Sequence, residues 1–263
     1  MLARPAAPAT DGHPCGATHL PALRRDARRD ASLCLLLLVA LACCASALGP
    51  PTAWFVAKAV IVFAAACGFM LRELHRHAPH ARFGAANRVT LGRLGLIALL
   101  AAEVGEPLVD PVTTAWAAIV VATTAALLDA LDGPLARASG LASEFGARFD
   151  MESDALLVLV LCLLVLHFDK AGAWVVAAGL MRYAFVGAAW RWRWMARPLP
   201  PSQRRKAVCV AQITCLIVCL GPIIDTAWSE ALAAVSLSVL TASFAIDVAW
   251  LRRHRHLPGE PEK

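Results

Sequence analysis

Four aspartates, Asp129, Asp132, Asp150 and Asp154, crowd the stretch 129–154, together with Gly133, Ala136, Arg137 and Gly146. As a pattern this reads D-x2-D-G-x2-A-R-x8-G-x3-D-x3-D. Asp129 and Asp132 are three apart, Asp150 and Asp154 four apart, and on a helix either spacing puts both side chains on one face. Two such pairs at the ends of neighbouring helices can converge. Carboxylates held that close repel one another unless a cation sits among them, and an all-oxygen donor set suits Mg²⁺ or Mn²⁺ rather than zinc or copper. Ions of that kind clamp a diphosphate and neutralise charge as its bond breaks. Gly133, Ala136 and Gly146 permit close backbone approach to a nucleotide or a facing helix. Arg137 supplies a planar fork for phosphate oxygens. A single acid at a membrane boundary is often only solvated, and small residues often only pack helices. Four aspartates at helical spacing beside an arginine, in a chain that otherwise avoids charge, point to function instead.

The elements that must position them are apolar. The 263 residues are 59% hydrophobic and 17% charged, with a mean hydropathy of +0.62, a departure from soluble domains in the membrane direction. Apolar segments can be drawn at 32–48, 53–71, 90–105, 112–131, 153–168, 171–190, 207–223 and 229–251. Several approach the ~20 residues that cross a bilayer, and without water the backbone there must be helical. The nine cysteines are odd in number and mostly lie in apolar runs without paired C-x2-C spacing, so they read as small packing residues. The expected architecture is an all-α integral membrane protein with a disordered basic tail at 1–30 and two accessory transmembrane helices with a basic loop at 31–84. A helical core follows at 85–251, and a tail at 252–263. Arginines followed by an apolar run and Ala45-Ser46-Ala47 resemble a cleavable signal, but no soluble exported domain follows. A retained helix is expected.

Charge sets the orientation. All but three of the 25 lysines and arginines fall in the N-terminal tail, between Arg72 and Arg93, at Arg137 and Arg148, between Arg191 and Lys206, or from Arg252 onward. On an eight-helix path these places share one side, so the positive-inside rule puts both termini and the aspartate motif on the cytoplasmic side of the cell membrane. Trp54, Trp116, Trp174 and Trp228 lie near the starts of the helices that return from the opposite side, where an interfacial aromatic belt belongs. The net charge of +6 is spread over every cytoplasmic loop, which fits contact with anionic membrane lipids and argues against a nucleic-acid binder.

The aspartate pattern resembles the signature of the CDP-alcohol phosphatidyltransferase family, over roughly residues 85–251. Asn87-Arg88-Val89-Thr90-Leu91-Gly92-Arg93 resembles the family's P-N-x-x-T-x-x-R entry to its first core helix, with Ala86 in place of the proline. The resemblance implies a six-helix core behind two extra N-terminal helices, and transfer of a phosphatidyl (phospho-alcohol) group from a CDP-alcohol, such as CDP-diacylglycerol, to an acceptor hydroxyl with release of CMP. It implies Mg²⁺ or Mn²⁺, as two ions, on Asp129, Asp132 and Asp150, with Asp154 as general base and also near the second ion. Gly133 and Arg137 would contact the CDP portion, with Ala136 and Gly146 beside it. Ser143 would bond a phosphate or the cytidine, Asn87 and Thr90 would line the nucleotide site, and a homodimer is implied.

Arg182, inside the sixth helix, and the basic loop 191–206 suit a small polar, phosphorylated acceptor such as glycerol 3-phosphate. The run Pro201 to Lys206 with Gln212 faintly resembles phosphatidylglycerophosphate synthases, from which Asp150-Met-Glu-Ser-Asp154-Ala155 departs. An intramembrane prenyltransferase would need a second, distant aspartate motif. A transporter or scaffold of the same fold would be favoured by a missing ligand aspartate, and none is missing.

Overall fold

The computed structural model describes residues 20–48, 52–77, 82–139 and 143–254, with side chains for all but 48, 77 and 131–139, and it turns every apolar segment into helix. The helices are α1 (Leu20–Leu48), α2 (Phe55–Glu73), α3 (Ala85–Glu103), α4 (Pro111–Ser139), α5 (Glu144–His167), α6 (Val176–Arg191), α7 (Gln203–Cys219) and α8 (Thr226–Arg253). No strand occurs among the described residues. Six helices, all except α5 and α7, are long and apolar enough to cross a membrane. The other two fall short for physical reasons. The first turns of α5 carry the acids Glu144, Asp150, Glu152 and Asp154, and α7 has only 17 residues.

These two instead supply much of the interior. Leu157, Leu161 and Leu164 of α5 pack with Ile213, Leu216 and Cys219 of α7 and with Ala118, Ala122 and Ala125 of α4. Leu33, Leu36 and Leu37 of α1, Ile61 of α2, Val120 of α4 and Val239 of α8 are exposed, as apolar side chains facing lipid would be. Close helix contact needs glycine at one crossing. A Cβ on Gly179 of α6 would lie 2.6 Å from the Leu159 Cα of α5, so any side chain there would force the two helices apart.

At the centre is α3, packed against α1, α2, α4 and α5. The accessory pair α1–α2 is fastened to it at both ends. At one end Arg88 of α3 pairs with Asp30 at 2.7 Å and Asp26 at 3.4 Å, and the Phe83 amide donates to Asp26 at 3.0 Å. At the other, Glu106 after α3 pairs with Lys58 of α2 at 2.5 Å and accepts from the Thr52 amide at 2.6 Å and the Thr52 hydroxyl at 3.0 Å.

The first of these fastenings corrects the expected tail. Residues 20–30 were expected in a disordered segment, but α1 begins at Leu20. Leu23 and Ala27 are buried there, and Asp26 and Asp30 gain their partner from α3, so the order comes from tertiary contacts that local composition does not display. Lys170, the one lysine in the turns opposite the basic loops, donates to the carbonyls of Gly221 at 3.0 Å and Ile224 at 2.7 Å. It ties the α5–α6 turn to the α7–α8 turn. Trp54, Trp116, Trp174 and Trp228 are exposed at the starts of α2, α4, α6 and α8.

Candidate active site and metal centre

Asp129 lies near the end of the apolar part of α4, and the helix continues without interruption to Ser139. Asp132, Gly133, Ala136 and Arg137 therefore sit on the same helix as Asp129, but their side chains lie outside the described residues. The next described residue is Ser143, which caps the N-terminus of α5. The Ser143 hydroxyl accepts from the Gly146 amide at 3.1 Å, meeting one of the donors that a helix start leaves open. Asp150 and Asp154 follow on one face of α5, towards α3.

The carboxylates of Asp129, Asp150 and Asp154 converge as the spacing requires. One oxygen from each lies within 4.8 Å of the others. What the sequence reading did not foresee is their shared counter-ion. Arg93 of α3 is wholly buried. It reaches Asp129 at 2.7 Å and Asp150 at 2.6 Å through Nη1, Asp154 at 2.5 Å through Nη2, and the Ala125 carbonyl of α4 at 3.1 Å through Nε. One guanidinium thus binds α3, α4 and α5 together. In the sequence Arg93 closes the motif that opens the first core helix, but nothing in that motif names the acids it meets. The signal that could have found it is its position between Leu91 and Leu94, because an arginine inside an apolar helix must have an acid to meet.

A divalent cation fits this donor set. The donors are all carboxylate oxygens, as a hard cation requires. Three carboxylates against one guanidinium leave a net negative charge at the cluster. Arg93 meets Oδ1 of each acid, and a carboxylate offers roughly four lone-pair sites, more than one guanidinium shared by three acids can fill. Asp154 additionally faces α7, where the Cys209 thiol lies 4.0 Å from Oδ2. The acids are partly open, with side-chain exposures of 27% for Asp129, 38% for Asp150 and 20% for Asp154, so a ligand can reach a cluster whose cation is sealed behind it.

The other expected residues fall into two groups. Asn87 and Thr90 are buried on α3 about two turns and one turn before Arg93, respectively. Asn87 donates to the Phe83 carbonyl at 2.5 Å and Thr90 to that of Ala86 at 3.1 Å. A Cβ on Gly146 would meet Asn87 Oδ1 at 3.0 Å. Asn87, Ser143 and Gly146 therefore form one packed junction where α5 begins against α3. Arg182 stands apart. It pairs with Glu152 at 2.5 Å, and residues two apart on a helix do not share a face, so this pair lies on the side of α5 away from Asp150 and Asp154. In the first turn of α7, where the basic stretch 191–206 ends, Arg204 and Arg205 meet Asp247 of α8 at 2.5 and 3.3 Å.

The family model for CDP-alcohol phosphatidyltransferases matches residues 83–246. That span opens just before α3 and takes in α4 to α7 and most of α8, leaving α1 and α2 outside it. No curated protein and no solved structure matches the chain.

Proposed function

The chain belongs to the CDP-alcohol phosphatidyltransferase family, and from that premise we propose that it moves a phosphatidyl group from CDP-diacylglycerol to the hydroxyl of a small polar acceptor. CMP leaves, and the product enters phospholipid biosynthesis. The observation that carries this reading is the convergence of Asp129, Asp150 and Asp154 from two helices on one buried arginine.

In the proposed reaction the acceptor oxygen attacks the donor phosphorus that bears the lipid. The bond from that phosphorus to the oxygen bridging to CMP breaks, and the bridging oxygen departs with CMP. Asp154 takes the proton of the acceptor hydroxyl, since it lies furthest along α5 and its Oδ2 faces the Cys209 thiol of α7 at 4.0 Å. Asp129 and Asp150, with Asp132 on the same helix as Asp129, would hold Mg²⁺ or Mn²⁺. When bound, such ions supply positive charge to the diphosphate oxygens as the bond breaks. Arg93 fixes the three described carboxylates in register and lowers their mutual repulsion. Gly133, Ala136 and Arg137 would face the CDP portion, while Asn87, Thr90, Ser143 and Gly146 shape the α3–α5 junction beside it.

For the acceptor, the internal pairing of Arg182, Arg204 and Arg205 trims the field expected for a phosphorylated polyol. Arg191, Arg193 and Lys206 are exposed, and they remain as the groups that could draw one. The distribution of basic residues supports a multi-pass protein of the cell membrane with its site on the cytoplasmic side.

The deciding experiment measures CMP release from CDP-diacylglycerol by purified protein in detergent with Mg²⁺ or Mn²⁺. It is run across glycerol 3-phosphate, serine, inositol, inositol phosphate, choline and phosphatidylglycerol. Release with one acceptor, lost in Asp154→Asn, is the expected result. No release and no CDP-diacylglycerol binding would overturn the proposal.

A further inference from the structure

We propose that the first three turns of α1 form a docking surface for the phosphate headgroups of anionic bilayer lipids. The helix is unbroken from Leu20 to Leu48, 29 residues. A hydrocarbon layer takes about 20 helical residues. Counted back from Leu48, that places Leu20 to Arg28 at headgroup depth, with Arg29 at the boundary.

Within those turns the side chains are sorted by charge. Leu23 and Ala27 are buried, at 1% and 0% exposure. Asp26 and Asp30 turn towards α3 and are engaged by Arg88 and the Phe83 amide. Arg24, Arg25, Arg28 and Arg29 are all exposed, and none pairs with a carboxylate among the described residues. Their spacing of i, i+1, i+4 and i+5 gathers them into one stripe along the outward side of the helix. The acids of this segment therefore do not cancel its arginines. They hold the helix to the core and leave four positive groups facing out.

Topology alone asks only that cations lie on this side of the membrane. It does not ask that they form a continuous stripe on a helix whose opposite face is packed and salt-bridged. Guanidinium groups bind phosphate oxygens through paired donors, and the arginines enter the bilayer surface with the helix itself. The occupant that charge and depth together select is the anionic phospholipid of the bilayer. This surface lies outside the family match and does not depend on the proposed reaction.

The test uses the full-length protein in phosphatidylcholine bilayers carrying trace spin-labelled phosphatidylglycerol or spin-labelled phosphatidylcholine. The motionally restricted fraction of each lipid is measured by electron paramagnetic resonance. The expected result is preferential restriction of phosphatidylglycerol, on the order of fivefold or more, the factor that a single favourable headgroup contact would give. Arg24→Gln/Arg25→Gln/Arg28→Gln/Arg29→Gln should cut that preference at least twofold, the other basic loops keeping a remainder, and the corresponding fourfold lysine variant should largely keep it. Selectivity unchanged in the glutamine variant overturns the proposal. If that variant fails to insert, Arg24→Gln/Arg28→Gln must show a clear partial loss, and unchanged selectivity there is equally fatal.

Discussion

Nη2 of Arg93 and Oδ1 of Asp154 are 2.5 Å apart across 61 residues of sequence, and the same guanidinium holds Asp129 and Asp150. Its burial makes the contact consequential, since removing one member of a buried charge group leaves the others uncompensated, at about 3–5 kcal/mol. Arg93→Gln is therefore expected to lower thermal stability in detergent. It should also cut CMP release by roughly 100-fold or more, because small misplacements of reacting groups have effects of that size. Arg93→Lys keeps one charge but cannot fork between three acids, and it should recover stability better than activity.

Asp154 and its neighbours should separate in their response to metal. Asp154→Asn removes the proton acceptor, so turnover is expected to vanish at any Mg²⁺ or Mn²⁺ concentration while CDP-diacylglycerol binding persists. Asp129→Asn and Asp150→Asn weaken ion binding instead, so part of their activity should return as the metal concentration rises. Chelation of the wild-type protein should stop CMP release reversibly. A metal titration of all four proteins checks this, and an Asp154→Asn variant rescued by metal would reassign that residue to the ligand set.

The contrast between Arg93 and the helices shows what kind of information the sequence holds. Apolar runs report helices directly, because in lipid no other structure satisfies the backbone, and each drawn segment became one. The spacing of Asp129, Asp150 and Asp154 reported their convergence, because periodicity is local. Arg93 is legible as a motif position, but its partners are not, because they lie more than thirty positions away on two other helices. The same holds for residues 20–30, whose order depends on Arg88, and for Arg182, expected to meet a phosphorylated acceptor but paired with Glu152 on the side of α5 away from Asp150 and Asp154. Long-range charge pairing is what single-sequence periodicity leaves out.

Glu106 gives a structural control at the opposite end of α3. Its side chain is 2% exposed, and it joins Lys58 and Thr52 of the accessory pair to the core. Glu106→Ala removes the acceptor shared by partly exposed Lys58 and by Thr52 and should reduce stability by about 1–3 kcal/mol. The site lies at the other end of the bundle, so CMP release well below the melting temperature should stay near wild type. Melting curves and low-temperature assays on one preparation separate the two effects. A fall in activity without a fall in stability would mean that α1–α2 reach the site through α3.

Gln212 tests the interior in the opposite direction. It is buried on α7, one turn beyond Cys209, at 2% exposure, and neither its amide nitrogen nor its amide oxygen has a partner among the described residues. Its neighbours on the same helix, Ile213 and Leu216, belong to the apolar core. A buried amide without hydrogen bonds costs about 1–3 kcal/mol by mutational measures, and leucine has similar reach without the polar atoms. Gln212→Leu is therefore expected to raise stability by an amount of that order, read as a higher melting temperature in detergent, with CMP release unchanged. A lower melting temperature would show that the amide is satisfied by ordered water between α7 and its neighbours. Unchanged stability with a raised KM for the acceptor would place Gln212 in the acceptor's path, one turn along α7 from Cys209, whose thiol lies 4.0 Å from the carboxylate that takes the acceptor's proton.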